Sequence, residues 1–315
     1  MKADLTMLEE RSENTTRIVP ETRVPSPRPI PPYTLAISEA SNAPYRGNWY
    51  ETPIVDGIYI GARRLKHNVI LLSGYPGRDL LRNLSTCAGL ATGLIQVHSR
   101  IEEGMYEATS DCVWPTVTVG GRVPDGCLTS IDIDNVAAAR QATRHLIELG
   151  HRRIAYLSAN DPRDLLPVKT ATLRETGYRL AHEDAGLALD ESLIIEGWST
   201  MQSGSERGGK IALMPPEIRP TAVFCFNDGV ALGLIRVLTG FLRVPEDISV
   251  VGFDDIVEAT MARPALTTVR QSLRQIGERS VELMVDTIEG RIPRGHEEIV
   301  PYEFIVRQST CRPPG

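Results

Sequence analysis

Short apolar runs alternate along this chain with longer stretches whose apolar residues recur at helical spacing. From Tyr33 onward the apolar runs are YTLAIS, NVILLS, GLIQV, PTVTVG, RRIAYLS, AVFCFN and ISVVGF. One stretch between them, DNVAAARQATRHLIELGH, begins with Asp134 and Asn135, either of which can cap a helix, and reaches Gly150 near its end. Strands this apolar are typical of parallel sheets that helices cover on both faces. The pattern therefore predicts an α/β protein.

Length and composition narrow the class of protein further. The chain has 315 residues, more than a single hydrophobic core usually holds, so two subdomains are expected. Hydrophobic residues make up 42% and charged residues 23%, which is ordinary for a soluble globular protein. The formal net charge of -6 argues against a chain that coats nucleic acid by itself. No apolar stretch approaches the roughly 18 residues that span a bilayer, so no membrane association is expected.

Residues 1–32 differ from the rest of the chain. Six prolines lie between positions 20 and 32, and five basic residues are balanced by five acidic ones, which predicts a proline-rich, extended tail. This segment lacks the apolar region of a secretory signal peptide. The five cysteines are scattered without paired spacing, which favours isolated thiols in a reducing compartment. Together these features predict a cytoplasmic protein.

Polar residues follow two of the predicted strands at the point where each strand ends. Asn227 and Asp228 come after AVFCF, and Asp254 and Asp255 come after SVVGF. In open parallel sheets, ligands bind beyond the carboxyl ends of the strands. Asp228 and Asp255 also fit helix caps, whereas Asn227 and Asp254 stand one residue closer to the strand. Asn227 and Asp254 are therefore the stronger ligand-binding candidates.

Several longer motifs resemble one known family. RPTAVFCFNDGVALGLIRVL, VPEDISVVGFDDIVEATMARPALTTVRQ and LIELGHRRIAYLS resemble the core of the LacI/GalR family of bacterial transcriptional regulators, and IVRQSTCRPP resembles its ending. The resemblance implies two Rossmann-like subdomains with parallel sheets, of periplasmic-binding-protein-like type I, with a small effector bound in the cleft between them. This effector is usually a sugar or a nucleobase-like metabolite.

The resemblance also implies three crossovers between the subdomains, near Ser158, Gln271 and Glu298. The implied ranges are 33–158 with 271–297 for the amino-terminal subdomain and 159–270 with 298–315 for the carboxy-terminal subdomain.

The effector contacts of the family can be assigned to matching residues here. The resemblance implies that Asn227 and Asp254 bind effector hydroxyls, that Arg174 in RETGY faces the effector, and that Trp198 in GWSTMQSG stacks on it. Carboxylate, amide and guanidinium groups suit sugar hydroxyls, and an indole suits the apolar face of a pyranose. By residue type alone, Arg174 would more often be a surface ion-pairing group and Trp198 part of a core.

On the amino-terminal side, the expected effector contacts are Ser38 and Asn42, which follow the first strand. The family's usual Asn-Pro-aromatic-aromatic run appears here as NAPYRGNWYETP, with apparent extra residues.

Competing chemistries find little support in the sequence. GSERGGKI, at residues 204–211, resembles a phosphate-binding loop, but Ile211 stands where a magnesium-binding hydroxyl is needed. The histidines form no ligand pattern beside the aspartates, and no nucleophile–base set is visible, so no enzyme activity, metal or cofactor is predicted. A solute-binding protein for a sugar transporter is the alternative, although export would need a signal that the beginning of this chain does not resemble.

The remaining expectations concern macromolecular partners. Family members begin with a helix-turn-helix, whereas residues 1–32 are rich in proline and balanced in charge, so this chain by itself is not expected to bind DNA specifically. Operator DNA is an expected partner only if a helix-turn-helix is supplied. The resemblance also implies a homodimer, formed largely through the helix after the first strand and through strands near the crossovers. In this chain the stretch IVDGIYIGARRL offers Ile54, Ile58 and Ile60, which suit either a core or an interface.

Overall fold

The computed structural model describes residues 33–39, 49–72, 90–97, 115–121, 128–159, 169–293 and 295–314, without the side chains of residues 38 and 39. In chain order the elements are β1 (Thr34–Glu39), α1 (Glu51–Leu65), β2 (Asn68–Leu72), β3 (Gly93–Val97), β4 (Thr116–Val119), β5 (Thr129–Ile133), α2 (Asn135–Glu148), β6 (Ile154–Leu157), α3 (Thr170–Asp184), a 3₁₀ turn (Glu191–Leu193), β7 (Ile194–Ile195), α4 (Met201–Ala212), β8 (Ala222–Cys225), α5 (Asp228–Leu238), β9 (Ser249–Val251), α6 (Val257–Met261), β10 (Thr268–Gln271), α7 (Leu273–Ile288), β11 (Glu297–Val300) and β12 (Tyr302–Ile305).

The amino-terminal subdomain is built on a six-stranded parallel sheet. Its strand order is β11-β5-β4-β3-β1-β2, and α1 packs against α7 beside it. Ile54 and Ile58 of α1 are fully buried in the core, whereas Ile60 is 43% exposed. Of the three isoleucines predicted for core or interface, two therefore serve the core.

The carboxy-terminal subdomain contains a four-stranded parallel sheet in the order β7-β6-β8-β9. An antiparallel pair, β10 and β12, joins this sheet through isolated parallel bridges, one of which links Asp254 to Arg270. Helix α2 packs against α3, and α4 packs against α5. Asp134 caps α2, because its Oδ1 accepts a hydrogen bond from the Ala137 amide at 2.9 Å. The predicted α/β fold with parallel sheets is confirmed.

The crossovers between the subdomains differ in position from those expected. Since β6 pairs with β8 and α2 packs against α3, the chain has already entered the carboxy-terminal subdomain before Ser158, and the expected range 33–158 is too long. An apolar strand that is buried on both faces fits either sheet, so its sequence does not reveal which one it joins. The second crossover follows β10 at Gln271, and the third lies at Pro301, after β11 rather than at Glu298.

Among the residues that the structure describes, no helix combines the length and the apolar character that a membrane span needs.

Candidate functional site

Arg174 lies at the centre of the candidate site and is buried, with 3% of its surface exposed. Its Nε donates to Asn135 Oδ1 at 3.0 Å, and its Nη1 donates to the Phe226 carbonyl at 2.5 Å. The guanidinium carbon lies 3.5 Å from the centre of the Phe253 ring, where a cation is attracted to the aromatic face. These contacts fix one orientation of the side chain, so Arg174 is not a surface ion-pairing group.

Asp254 faces Arg174 from the end of β9. Its Oδ1 lies 3.6 Å from Arg174 Nη2 and accepts a hydrogen bond from Gln271 Nε2 at 2.7 Å. The residue is 7% exposed. Burial raises the pKa of its carboxyl to about 6, although the Arg174 charge and the Gln271 amide both act to lower it. Asp254 therefore contacts both Arg174 and Gln271, and Gln271 is the residue at which the chain leaves the carboxy-terminal subdomain.

The neighbouring carboxylates, Asp255 and Asp228, hold the loop together. Asp255 forms ion pairs with Arg270 and Arg307, each at 2.7 Å. Asp228 is fully buried and accepts hydrogen bonds from the Ile256 amide at 2.9 Å and from Thr268 Oγ1 at 2.6 Å. Burial, together with the nearby Asp254 charge, raises the pKa of Asp228 well above its usual range. Asp255 therefore links the loop after β9 to β10 and to the segment after β12. Asp228 links the start of α5 to the same loop and to β10.

Helix capping follows a different pattern from the one predicted. Asn227, rather than Asp228, is the N-cap of α5, because its Oδ1 accepts from the Val230 amide at 2.8 Å. Helix α6 has no side-chain cap, so Asp255 does not cap it. The Asn227 side chain satisfies the first turn because it precedes the helix, whereas Asp228 already belongs to it. The Nδ2 group of Asn227 donates to the Ser199 carbonyl at 3.2 Å, at a partly exposed position.

Trp198 lies in the segment before α4 and is 46% exposed, so it is not a core residue. Its backbone is held by Ser203 Oγ, which accepts from the Trp198 amide at 3.0 Å, and by Arg207 Nη2, which donates to its carbonyl at 3.0 Å. The next residue, Ser199, contacts Asn227 through the hydrogen bond given above. An aromatic side chain is therefore presented next to the capped end of α5.

The two candidates on the amino-terminal side are not settled by the structure. Ser38 lies in β1, with Leu72 and Gln96 as its neighbours in the sheet, but its side chain is not described. Asn42 lies outside the described residues.

The structure adds residues that the sequence did not single out. Asp132, at the end of β5, is 3% exposed and accepts from the Ile133 amide at 2.7 Å and from Asn135 Nδ2 at 3.0 Å. Burial and the carboxylates of Asp132 and Asp254 raise the pKa of the Tyr50 phenol, while the Arg174 charge lowers it. Tyr50 belongs to the NAPYRGNWYETP run, whose extra residues obscured its position.

Trp49 crosses from one subdomain to the other. It stands two residues before α1 of the amino-terminal subdomain, yet its side chain packs against the apolar core of the carboxy-terminal subdomain. A Cβ atom placed on Gly229 would lie 3.0 Å from Trp49 Cζ3, so the indole rests on the first turn of α5. The candidate site therefore combines buried polar groups at the strand ends of the carboxy-terminal subdomain with an aromatic ring that comes from the amino-terminal side of the chain.

The structure also bears on the alternatives of a metal site and a phosphate-binding loop. Among the described residues, no group of three or more histidine, cysteine, aspartate or glutamate side chains is arranged to hold a metal ion. Residues 204–211, which resemble a phosphate-binding loop, lie within helix α4. There Arg207 is buried and donates to the carbonyls of Ser158 at 2.6 Å and Ile195 at 3.1 Å. This stretch therefore has the structure of a packing helix rather than of a glycine-rich loop.

Known proteins resemble this chain in sequence and in structure. A family model described as a periplasmic binding protein-like domain matches residues 143–310. The HTH-type transcriptional regulator CelR of Thermobifida fusca is 31% identical over 280 residues, which are 87% of this chain and 80% of CelR. The HTH-type transcriptional repressor PurR of Vibrio atlanticus is 41% identical over 165 residues, 50% of this chain and about half (47%) of PurR.

Solved structures of similar proteins are also transcriptional regulators. The transcriptional regulator CelR in complex with cellobiose has a TM-score of 0.78 and 30% identity, covering 89% of this chain and 86% of that one. A regulatory protein of the LacI family from Chloroflexus aggregans has a TM-score of 0.77 and 26% identity, covering 88% of this chain and 98% of that one.

Proposed function

The chain belongs to the LacI family of transcriptional regulators, and we propose that it binds a sugar between its two subdomains and thereby controls transcription. The observation that carries this proposal is the buried set of Arg174, Asp254 and Gln271, which lies at the strand ends next to the exposed Trp198 and the partly exposed Asn227. Such a cleft can hydrogen-bond the hydroxyls of a sugar and cover its apolar face.

The choice of a sugar has two supports. The similar regulator CelR was solved with cellobiose. The buried carboxylates of Asp132 and Asp254 are hydrogen-bond acceptors, which suits a ligand that is rich in hydroxyl donors. A nucleobase-like ligand would use stacking more and these acceptors less.

In this proposal the effector contacts are Asn227, Asp254, Arg174 and Trp198 on the carboxy-terminal side. Ser38 and Asn42 belong to the amino-terminal side. Asp132 and Gln271 join the set through their hydrogen bonds to Asn135 and Asp254, and Tyr50 joins it because the charges of Asp132, Asp254 and Arg174 act on its phenol.

The proposed mechanism is binding without chemical conversion. The similar proteins are regulators rather than enzymes. We propose that the effector changes how the two subdomains close, and that a homodimer transmits the change to operator DNA read by a helix-turn-helix. Such a regulator works in the cytoplasm.

A sugar panel tests the proposal directly. Purified protein is screened by thermal shift against mono- and disaccharides, with cellobiose first, and positive sugars are followed by calorimetry. At a sugar concentration a hundred times the dissociation constant, binding should stabilise the fold by about 2.7 kcal/mol. Chromatography of the incubated sugar should recover it unchanged. A panel without any stabilising sugar, or recovery of a converted product, would refute the proposal.

A further inference from the structure

Arg207 of helix α4 is a buried cation that donates hydrogen bonds to four backbone carbonyl groups. The residue is 3% exposed. Its Nη1 donates to Ser158 at 2.6 Å and to Ile195 at 3.1 Å. Its Nη2 donates to Trp198 at 3.0 Å, and its Nε donates to Ser203 at 3.2 Å. The planar guanidinium therefore fixes these carbonyl groups relative to one another.

The carbonyl groups that Arg207 binds lie at the edge of the sheet that carries the candidate site. Ser158 follows β6 and Ile195 ends β7, and these two parallel strands pair directly. Trp198 comes three residues after Ile195. In open parallel sheets, ligands bind beyond the carboxyl ends of the strands. Arg207 therefore joins the ends of two strands to the backbone of Trp198.

The segment before Trp198 lies directly against the guanidinium. A Cβ atom on Gly197 would lie 2.9 Å from Arg207 Cζ and 2.7 Å from Ser203 Oγ, which is too close for a side chain. The same Ser203 Oγ accepts a hydrogen bond from the Trp198 amide at 3.0 Å. Helix α4 thus holds both backbone polar groups of Trp198, the amide through Ser203 and the carbonyl through Arg207.

Helix α5 holds the same segment from its other end. The Ser199 carbonyl accepts from Asn227 Nδ2 at 3.2 Å, and Asn227 also caps α5. The backbone of Trp198 is therefore fixed on both sides, while 46% of the residue remains exposed. An aromatic group that is held in place before a ligand arrives costs less ordering entropy on binding.

We infer that Arg207 is a positioning residue, which holds Trp198 as an aromatic surface for the apolar face of a sugar and does not itself contact the sugar. The inference rests on the proposed function, in which Trp198 is an effector contact. Arg207 is buried and engaged by carbonyl groups of the protein, so its effect on a ligand has to pass through the segment that it holds.

The mobility of Trp198 in the ligand-free protein tests this inference without any sugar. After Trp49→Phe and Trp114→Phe, Trp198 is the one remaining tryptophan. Arg207→Lys replaces the planar fork by an ammonium with three donors, which cannot serve all of the carbonyl groups. The fast component of the Trp198 anisotropy decay should therefore at least double. Lys210→Gln, at an exposed position of α4, should leave the decay unchanged. An unchanged decay in Arg207→Lys overturns the inference.

A second variant disturbs the same contact without removing a hydrogen-bonding group. The methyl group of Gly197→Ala has to move the Trp198 segment away from Arg207, so the fast component should again at least double. Gly209→Ala is the matched control, because a Cβ atom there would meet nothing within 4 Å. If Arg207→Lys does not fold, the Gly197→Ala variant decides the question, and an unchanged decay in that variant overturns the inference.

A double-mutant cycle with cellobiose separates positioning from a general effect on the fold. By calorimetry, Arg207→Lys should weaken cellobiose binding at least fivefold in otherwise wild-type protein, but less than twofold when Trp198→Ala is already present. Equal losses in the two backgrounds would show that Arg207 does not act through Trp198, and would overturn the inference.

Failure of the sugar proposal has a different signature. If cellobiose does not bind, the cycle is repeated with the sugar that gives the largest thermal shift in the panel. A panel without any stabilising sugar refutes the proposed function, and the anisotropy decays of Arg207→Lys and Gly197→Ala then decide whether Arg207 holds Trp198.

Discussion

Asp254 and Asp255 are adjacent carboxylates with different partners. Both have backbone φ angles in the left-handed region, 108° and 57°. Because of this turn, the Asp255 side chain contacts Arg270 and Arg307, whereas the Asp254 side chain contacts Arg174 and Gln271. Repulsion between the two charges is thereby offset by separate cations. The pair serves one structural role and one proposed ligand-binding role.

Asp254 should make sugar binding dependent on pH. Its pKa is raised to about 6 by burial, and a hydroxyl donor prefers the ionised carboxylate. Affinity should therefore be constant above pH 7 and should fall below pH 6, approaching about tenfold per pH unit. Calorimetry of the bound sugar from pH 5 to pH 8 measures this. Asp254→Asn should remove the dependence, while Asp184→Asn on the exposed surface should keep it; a flat wild-type profile would contradict the assignment.

The same group affects the stability of the ligand-free protein in the opposite sense. Because the folded-state pKa of Asp254 lies above its ordinary value of 3.8, the folded form binds the proton more tightly than the unfolded form. Its contribution to stability is present below about pH 4 and is lost as the pH rises through 6.

Arg174 should matter for folding as well as for binding. Truncation in Arg174→Ala would leave Asn135 Oδ1, the Phe226 carbonyl and the buried Asp254 carboxylate without their partner. Breaking a buried ion pair in this way costs about 3–5 kcal/mol. Urea denaturation should show that loss. Arg140→Ala, which removes an exposed pair with Asp184, should unfold at nearly the wild-type urea concentration. Equal midpoints for the two variants would show that Arg174 is not a structural centre.

At the scale of elements, helices α4 and α5 pack closely because glycines face the neighbouring backbone. A Cβ on Gly204 would lie 2.1 Å from the Val230 carbonyl oxygen, whereas a Cβ on Gly209 of the same helix would meet nothing within 4 Å. Residues 204–211 resemble a phosphate-binding loop partly because of their glycines. One of these glycines, Gly204, is required for the packing of α4 against α5.

This contrast predicts opposite outcomes for two alanine substitutions in α4. Gly204→Ala forces the helices apart and should lower the free energy of unfolding by about 1–3 kcal/mol. Gly209→Ala has room for its methyl group and should be neutral or stabilising by up to about 1 kcal/mol, because alanine favours helix. Chemical denaturation of both variants measures the difference. Equal stabilities would mean that α4 and α5 are less closely packed than described.

Elements were easier to predict from the sequence than the contacts between them. Periodicity predicts the strands, the helix over residues 135–148 and the parallel sheets, because burial on one or both faces sets those patterns. It does not reveal that β6 joins the carboxy-terminal sheet, since both sheets bury such a strand. The strand-end position makes Asn227 and Asp254 candidates for ligand contacts, but it does not reveal that Asn227 caps α5. Tyr50 and Asp132 come to the site through long-range folding, which leaves no local pattern.

At the scale of the whole molecule, Trp49 is positioned to report on the relation between the subdomains. It is attached to α1 on one side and packs against the core that surrounds α5 on the other. Any opening of the cleft has to separate the indole from Gly229. In the proposed mechanism, this contact belongs to the closed form that surrounds the sugar.

Trp49→Ala should weaken sugar binding about tenfold, because the closed form loses an apolar contact worth about 1.4 kcal/mol while the polar contacts remain. Trp49→Phe keeps part of the aromatic surface, so its sugar affinity should lie between those of the wild type and Trp49→Ala. Gly229→Ala should act like a mild form of Trp49→Ala, since its methyl group would press on Trp49 Cζ3 at 3.0 Å. Trp114 and Trp198 are changed to phenylalanine so that Trp49 alone fluoresces, and the sugar affinity of this background is measured first because Trp198 is itself a proposed sugar contact. Sugar should then protect Trp49 from quenching by acrylamide. Affinity within twofold of wild type in Trp49→Ala, together with unchanged quenching, would show that the subdomains close without this contact.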